Sequence, residues 1–275
     1  MELIDLDGEN LYWKMLLYGL AGSGKTTLIG TAASDDRLAP VLHLDCGGNP
    51  TSMRHFKHKP KTLRITKLSD LNVIYDWLLN DQPADHTMVL QARCTPGYKT
   101  VVLDGLTRIQ FLSFKQALGT NPKPGDMPNK PEWEQYNRVL LHMTNAFVQF
   151  YNLKMHVLVT ALEDNEKRFY DPDDVRLTSK ELQPNDYYIQ AVPGIDGKSL
   201  ERIPGIADGV YRIAHKAMID PVTLNKIEKE HGKVKYSVLQ LQNTKLAYAK
   251  DQHMLGMAYI PDPTMKQLTD LLVGS

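Results

Sequence analysis

A glycine-rich octapeptide near the amino terminus carries the strongest chemical signal in this 275-residue chain. Residues 19–26 read Gly-Leu-Ala-Gly-Ser-Gly-Lys-Thr, which satisfies the spacing G-x-x-x-x-G-K-[ST]. A loop of this kind wraps its backbone N–H groups around a phosphate, and glycines are needed because a Cβ atom would block the approach. The pattern predicts a binding site for a nucleoside triphosphate.

The residues of this loop have separate expected roles. We expect Lys25 to reach the β- and γ-phosphates and the Thr26 hydroxyl to bind Mg²⁺. Asp104 ends the apolar run Thr-Val-Val-Leu and is typical of the acid that holds the water shell of that Mg²⁺. ATP and Mg²⁺ are therefore the expected cofactors, although no motif distinguishes ATP from GTP. The predicted nucleotide contacts are Gly19, Leu20, Ala21, Gly22, Ser23, Gly24, Lys25, Thr26 and Thr27.

Two further strand ends could supply groups for hydrolysis. Asp45 follows Lys25 by twenty residues, at the end of a short apolar run. It either faces the γ-phosphate as a water-activating carboxylate or caps the turn that begins at Gly47. After a later apolar run, Thr160 is the better candidate for a γ-phosphate sensor, whereas Glu163 is expected to begin a polar loop.

Strands that alternate with helices must position these residues. The predicted strands are Trp13–Tyr18 and residues 41–45, 100–104 and 155–161. The predicted helices are residues 26–33, a segment that begins at Ser69, residues 106–118 and residues 132–151. Ser69 is the expected N-cap of its helix, and the apolar stripe of residues 132–151 is expected to be core. Residues 121–131 are Pro- and Gly-rich and read as a loop. Weaker signals predict strands at 187–191, 210–213 and 235–242 and a closing helix at 264–273.

The fold expected from this alternation is α/β, with a mostly parallel, twisted sheet covered by helices on both faces and antiparallel additions near the carboxyl terminus. We expect residues 1–275 to form a single domain, with a core of about 12–163 and additional strands and a helix at about 187–275.

Composition narrows the class of protein. Thirty-two basic residues balance thirty-two acidic residues, so no global field would attract nucleic acid or an anionic membrane. The acidic amino terminus is unlike a signal peptide, and no apolar run is long enough to span a bilayer. With only two cysteines, Cys46 and Cys94, which we read as free thiols, these features predict a cytoplasmic protein without membrane contact.

A local basic segment is the exception to the balanced charge. Between residues 54 and 67 the chain has six Lys or Arg residues, two His residues and no acid. This run could bind the backbone of single-stranded DNA, with Phe56 as a stacking residue, or could be a solvated loop. The residues 121–131 are a second candidate surface for DNA or for a neighbouring subunit. The basic residues of the 54–67 segment are Arg54, Lys57, Lys59, Lys61, Arg64 and Lys67.

Several motifs together resemble the phage AAA-type nucleotide-binding proteins, which are compact RecA-like ATPases that include single-strand-annealing recombinases. The similarity spans roughly residues 16–256. The motifs that carry it are the phosphate loop with its preceding Leu-Leu-Tyr, Leu-Asp-Cys-Gly-Gly at 44–48, Tyr-Lys-Thr-Val-Val-Leu-Asp-Gly-Leu-Thr at 98–107, Trp133, Val-Pro-Gly-Ile-Asp-Gly-Lys at 192–198 and Ala-Lys-Asp at 249–251.

The resemblance implies head-to-tail assembly into a ring or filament with ATP between subunits, and action on DNA in recombination, repair or replication. It also implies that Lys250 reaches the γ-phosphate bound by a neighbouring subunit, and the alternative is that Lys250 is a solvated lysine at the end of a strand. Two positions depart from the RecA pattern: Gln252 replaces the expected Arg, and Gly47 replaces a catalytic Glu. Hydrolysis by Asp45 and Lys250 is therefore expected to be slow.

Two other functions use the same phosphate loop. A nucleotide-gated assembly or regulatory protein, in which turnover is incidental, agrees with both departures. A small-molecule kinase would need an Arg-bearing lid, and Arg168, Arg176 and Arg202 form no such pattern.

Overall fold

The parts of the chain that the computed structural model describes form one domain-sized mixed sheet with helices on both faces. They are residues 12–47, 51–80, 97–119, 132–169, 187–195, 199–244 and 247–274. The strands are β1 (Lys14–Gly19), β2 (Val41–Asp45), β3 (Lys61–Arg64), β4 (Thr100–Asp104), β5 (His156–Phe169), β6 (Tyr187–Pro193), β7 (Gly209–His215), β8 (Ser237–Gln240), β9 (Lys250–Asp251) and β10 (Tyr259–Pro261). The helices are α1 (Lys25–Gly30), α2 (Leu68–Asn80), α3 (Leu106–Leu118), α4 (Trp133–Tyr151), α5 (Ser199–Ile206), α6 (Pro221–His231) and α7 (Met265–Gly274).

Six parallel strands make the centre of the sheet, in the order β7-β1-β5-β4-β2-β3. β8 and β10 extend this sheet antiparallel beyond β7. The register aligns Asp45 with Asp104, and Asp104 with Thr160. Because parallel strands end at one edge, these three side chains and the loop after β1 meet there.

The sheet is buried on both faces, which explains why β1, β2 and β4 are apolar along almost their whole length. One face packs against the apolar sides of α2, α3, α4 and α5. The opposite face packs against α1 and α7. In the part of the chain that is described, no helix is long and apolar enough to cross a membrane.

The α/β prediction with a mostly parallel, helix-covered sheet is confirmed. β7 differs from the expected antiparallel additions because it joins the parallel core beside β1. The predicted loop at residues 121–131 lies outside the described residues.

Three local predictions are wrong. α2 begins at Leu68, one residue before the expected cap Ser69, and the Asp70 carboxylate accepts from the N–H groups of Thr66 and Lys67 at its start. The stripe of α4 is core only from Val139 onward, and Trp133 is 70% exposed.

The third correction concerns the end of β5. The strand runs on to Phe169 instead of ending near 161, and it pairs with β6 as a two-stranded antiparallel arm beyond the sheet edge. Residues 162–169 of β5 are mostly charged or polar, so this extension gives no periodic apolar signal.

Candidate functional site

The loop between β1 and α1 has a backbone that requires glycine. Gly22 and Gly24 have φ angles of 77° and 106°, in the left-handed region. At Gly19, a Cβ atom would lie 2.2 Å from the Ile213 carbonyl oxygen and 2.6 Å from Ser23 Oγ. The glycines therefore set the path of this loop.

The side chains of Lys25 and Ser23 lie against the backbone of the loop. Lys25 Nζ donates to the carbonyl oxygens of Gly19 at 2.7 Å and of Leu20 at 2.8 Å. Burial lowers the pKa of Lys25, and the nearby charges of Asp104 and Glu163 oppose that shift. Ser23 Oγ is buried and, among the described residues, has no hydrogen-bond partner. An unpaired buried hydroxyl and a lysine bound only to carbonyls both suit an anionic ligand.

Asp104, at the end of β4, connects this loop to two neighbouring strands. Its Oδ2 accepts a hydrogen bond from Thr26 Oγ1 at 3.1 Å, and its Oδ1 accepts one from Thr160 Oγ1 at 2.5 Å. Burial raises the pKa of Asp104, but hydrogen bonds from His43, Thr160 and Thr26 outweigh burial and hold the pKa below its ordinary value. The carboxylate is therefore ionised and fixed beside Thr26.

Thr160 is a bridge between β5 and β4. Its hydroxyl accepts from the Gly105 N–H at 2.9 Å while it donates to Asp104. Both bonds orient Asp104 and the turn that follows it. The predicted role as a γ-phosphate sensor stays a prediction.

His43 belongs to this cluster and was not among the residues predicted from the sequence. It is fully buried in β2, its Nε2 lies 3.0 Å from Asp104 Oδ2, and its Nδ1 lies 3.3 Å from Thr62 Oγ1. Because an ionised carboxylate only accepts hydrogen bonds, Nε2 is the donor. The available signal was a histidine inside an apolar strand, since a buried polar side chain needs a partner.

Replacing His43 with leucine is expected to affect both the site and the fold. Asp104 loses an orienting donor, so the Mg²⁺ concentration for half-maximal hydrolysis should rise about 10-fold or more. The unfolding free energy should fall by about 1–3 kcal/mol, because a buried acceptor loses its partner. Hydrolysis against Mg²⁺ concentration and urea denaturation measure the two effects.

Thr62→Val is the matched control, because it removes only the outer hydrogen bond of His43 at an exposed position. An equal Mg²⁺ shift in both variants would contradict the orienting role of His43.

Asp45 lies next to Asp104, and two of its side-chain contacts are to other residues. Its Oδ1 accepts from the Gly47 N–H at 3.2 Å, and its Oδ2 lies 3.5 Å from Arg64 Nε. The Asp45 side chain is 2% exposed, whereas that of Arg64 is 68% exposed. Asp45 therefore caps the turn after β2, as one of the two interpretations predicted, and its catalytic role stays a prediction.

Glu163 begins the arm instead of a polar loop, which corrects the sequence-based expectation. It forms a bidentate ion pair with Arg212 of β7, at 2.8 and 2.9 Å. Since β1 lies between β5 and β7, this pair spans the strand that carries the phosphate loop. A cavity of about 320 Å³ adjoins it, lined also by Ile189 and Tyr259. The importance of Arg212 was not visible in the sequence.

Lys250 lies away from the other predicted site residues. Lys250 is the strand partner of Val210, and Val210 is the partner of Leu16, which lies three residues before the end of β1. Along the strand direction, Lys250 is therefore about 10 Å from the end of β1 that carries the phosphate loop. Its Nζ donates to the carbonyl oxygens of Gly205 and Ala207 at the end of α5. Within one chain Lys250 caps a helix, and a role at a neighbouring subunit's nucleotide stays a prediction.

The six basic residues of segment 54–67 are all exposed, and they lie on and around β3, the last strand in the order of the main sheet. We call this surface the basic strip. Phe56 is only partly buried, and a Cβ atom on Gly30 would lie 2.5 Å from its ring. Because Phe56 packs against α1, it is not a free stacking residue.

Comparison with known proteins agrees with this geometry. A family model described as an AAA domain matches residues 11–253, which is most of the chain. The chain belongs to this AAA family. A search of curated proteins finds no match. The AAA domain is a P-loop nucleotide-binding domain, and members of the family are generally ATPases.

The AAA domain of this chain has the oxygen ligands that Mg²⁺ prefers. The Thr26 hydroxyl and the Asp104 carboxylate touch each other at the phosphate loop and would hold the ion. Among the described residues, no group of three or more His, Cys, Asp or Glu side chains forms a metal cage. Mg²⁺ is usually bound by one or two carboxylates together with waters and substrate phosphates.

Proposed function

We propose that this protein is a Mg²⁺-dependent ATP hydrolase of the phage recombinase type that self-associates and acts on single-stranded DNA. The observation that carries the hydrolase part is the contact between Thr26 and Asp104, held by Thr160 and His43. The DNA part is supported by the exposed basic strip and by the sequence resemblance.

Each residue of the site has a separate role in this proposal. Lys25 exchanges its two carbonyl contacts for the β- and γ-phosphates, and the loop N–H groups bind the phosphate oxygens. Thr26 and Asp104 would hold Mg²⁺, which would supply positive charge to neutralise the bound phosphates. Thr160 and His43 keep Asp104 in one orientation. Asp45 is a carboxylate at this edge, besides Asp104 and Glu163, that could orient a water once it leaves Gly47.

The basic strip supports contact with a nucleic acid backbone because its charges are exposed and unbalanced over a short segment. Arg64, the last residue of β3, forms an ion pair with Asp45 at the edge of the nucleotide site. A DNA phosphate that binds Arg64 would therefore compete with Asp45. Binding of DNA would therefore change the contacts of Asp45, a carboxylate at the proposed hydrolytic site.

ATP hydrolysis with and without single-stranded DNA tests the proposal. We expect DNA to stimulate turnover, and Lys25→Ala to abolish turnover in both conditions. Lys57→Glu, Lys59→Glu and Lys61→Glu combined should remove the stimulation. The slope of log affinity against log salt should fall by about 0.7 for each DNA phosphate that the variant no longer neutralises.

Lys226→Glu, Lys229→Glu and Lys233→Glu combined make the matched control, because these lysines are equally exposed outside the basic strip. A similar loss of DNA affinity in this control would mean that net charge, and not the basic strip, binds DNA. Hydrolysis that DNA leaves unchanged would remove the DNA part and retain the hydrolase part.

A nucleotide-gated switch with slow turnover is the second candidate. The hydrogen bond from Gly47 to Asp45 favours it, because this carboxylate is occupied. The two carbonyl contacts of Lys250 favour it as well. Tight ATP binding that changes self-association, measured by light scattering without DNA-dependent turnover, would support this function.

A further inference from the structure

Arg108 lies in the first turn of α3, four residues after Asp104. Its backbone N–H donates to the Gly105 carbonyl oxygen at 2.8 Å, in the turn that follows β4. A Cβ atom on Gly47 would lie 2.6 Å from Arg108 Cγ and 3.2 Å from both its Cδ and its Nε. The N–H of Gly47 is also the donor to Asp45. The Arg108 side chain therefore runs across the turn after β2, at the edge of the sheet where Asp45 and Asp104 end their strands.

The absence of a side chain at Gly47 makes this path possible. A Cβ atom 2.6 Å from Arg108 Cγ would clash, so any larger residue at this position would force the Arg108 stem to move. Gly47 is also one of the two departures from the RecA pattern, and the other is Gln252 in place of an Arg. An arginine stem thus passes over the position where that pattern has a carboxylate.

The guanidinium of Arg108 has only weak contacts of its own. Within the described residues no carboxylate contacts it, although four other arginines each contact one: Arg37, Arg64, Arg138 and Arg212. Arg108 Cζ lies 4.6 Å from the centroid of the exposed Phe111 ring, and Lys115 Nζ lies 5.2 Å from the same centroid. A cation–π contact at an exposed position is weak, and here two cations share one ring. An anion within reach would therefore displace the guanidinium from this ring.

We infer that Arg108 binds the terminal phosphate of the nucleotide held by its own chain and stabilises the charge that develops there during hydrolysis. This rests on the hydrolase part of the proposed function and adds a catalytic residue to it. A guanidinium suits the role because it is always charged and its planar N–H groups donate in pairs to phosphate oxygens. Arg108 thereby supplies a positive charge that Gln252 cannot supply.

The hydrolysis step shows where this charge is needed. The oxygen of a water molecule bonds to the γ-phosphorus while the bond from that phosphorus to the bridging oxygen breaks. ADP keeps the electron pair of the broken bond, and the proton that water loses goes to solvent. A donor that meets charge developing in this step raises the rate more than it raises substrate affinity.

Titration calorimetry on the full chain tests the phosphate contact with two Mg²⁺-bound probes, ADP and the β,γ-imido analogue of ATP. Arg108→Ala should weaken the analogue about 10- to 100-fold, because a hydrogen-bonded contact between opposite charges is lost. It should leave ADP within about 3-fold, because ADP has no terminal phosphate. Alanine is a strong helix former, so the exposed first turn of α3 should persist.

A phosphate-release assay tests the catalytic part. ATP hydrolysis by Arg108→Ala should fall at least about 100-fold. Arg108→Lys should recover only part of this loss, because an ammonium keeps the charge but not the paired planar donors. Arg202→Ala is the matched control and should behave as wild type in both assays. Arg202 is exposed on α5 and, like Arg108, contacts no carboxylate in the described part of the chain.

Three results would overturn the inference. The first is wild-type affinity for the analogue, or wild-type hydrolysis, in Arg108→Ala. The second is an equal loss of affinity for the analogue and for ADP, because the change would then act on the whole loop. The third is hydrolysis restored by mixing Arg108→Ala with Lys25→Ala, because Arg108 would then act on a neighbouring subunit's nucleotide. A wild-type protein that binds neither probe would instead overturn the nucleotide site itself, and this outcome is distinct from the other three.

Discussion

Lys25→Ala is expected to weaken ATP and ADP binding by at least about 30-fold and to reduce hydrolysis to background. The ammonium is partly buried against Gly19 and Leu20 and lies near Asp104 and Glu163. Removing one charge from a desolvated phosphate pair costs about 2–5 kcal/mol, which sets the expected factor. Calorimetric titration with ADP and a phosphate-release assay measure the two effects.

Lys99→Ala is the matched control for this variant. Lys99 Nζ also donates to a backbone carbonyl, that of Asp36 at 2.8 Å, but it lies just before β4 at the opposite edge of the sheet. Its loss should leave nucleotide binding unchanged. Binding of ADP by Lys25→Ala at wild-type affinity would contradict the phosphate role of this loop.

Asp104→Asn is expected to separate binding from hydrolysis. The amide oxygen can still accept from Thr26, so the local fold should persist, but the charge that attracts Mg²⁺ is lost. Metal stabilisation of the transition state is worth several kcal/mol, so hydrolysis should fall by at least about 100-fold. ADP binding in the presence of a metal chelator should stay within about 3-fold of wild type.

ATP hydrolysis with Mg²⁺ and ADP binding in the presence of a metal chelator, measured on the same variant, test this prediction together. Asp36→Asn serves as the control, because Asp36 is exposed and its carbonyl oxygen accepts from Lys99, just before β4, at the edge of the sheet opposite the phosphate loop. If Asp104→Asn hydrolysed ATP at the wild-type rate with the same Mg²⁺ dependence, Asp104 would not be a metal residue. If it lost metal-free ADP binding, its main role would be structural.

Much of the fold follows from local pattern. β2, β4 and α3 have the predicted bounds because continuous apolar runs and helical spacing are local properties of the chain. The glycines of the phosphate loop were also identifiable, because left-handed φ angles and close backbone approach leave few other residue types. The AAA family itself was visible in these motifs.

Other features depend on pairs of residues far apart in the sequence. The extension of β5 to Phe169 was not predicted, although β6 was predicted at 187–191, because the extension consists mostly of charged and polar residues and gives no periodic apolar signal. The short strands β9 and β10 likewise have too few residues for a periodic signal. The parallel position of β7 beside β1 was a matter of sheet order, which spacing within one strand does not encode.

The sequence by itself determined that this chain has a phosphate-binding loop, a strand-end acid for Mg²⁺ and an α/β fold, because each rests on residues that are adjacent or periodic. Only the tertiary structure decided which polar groups serve that site. It brought His43 to Asp104, directed Asp45 toward Gly47 and Arg64, joined Glu163 to Arg212 and put Lys250 under α5. The physical reason is that hydrogen bonds and ion pairs depend on strand order and register, which the whole chain sets together.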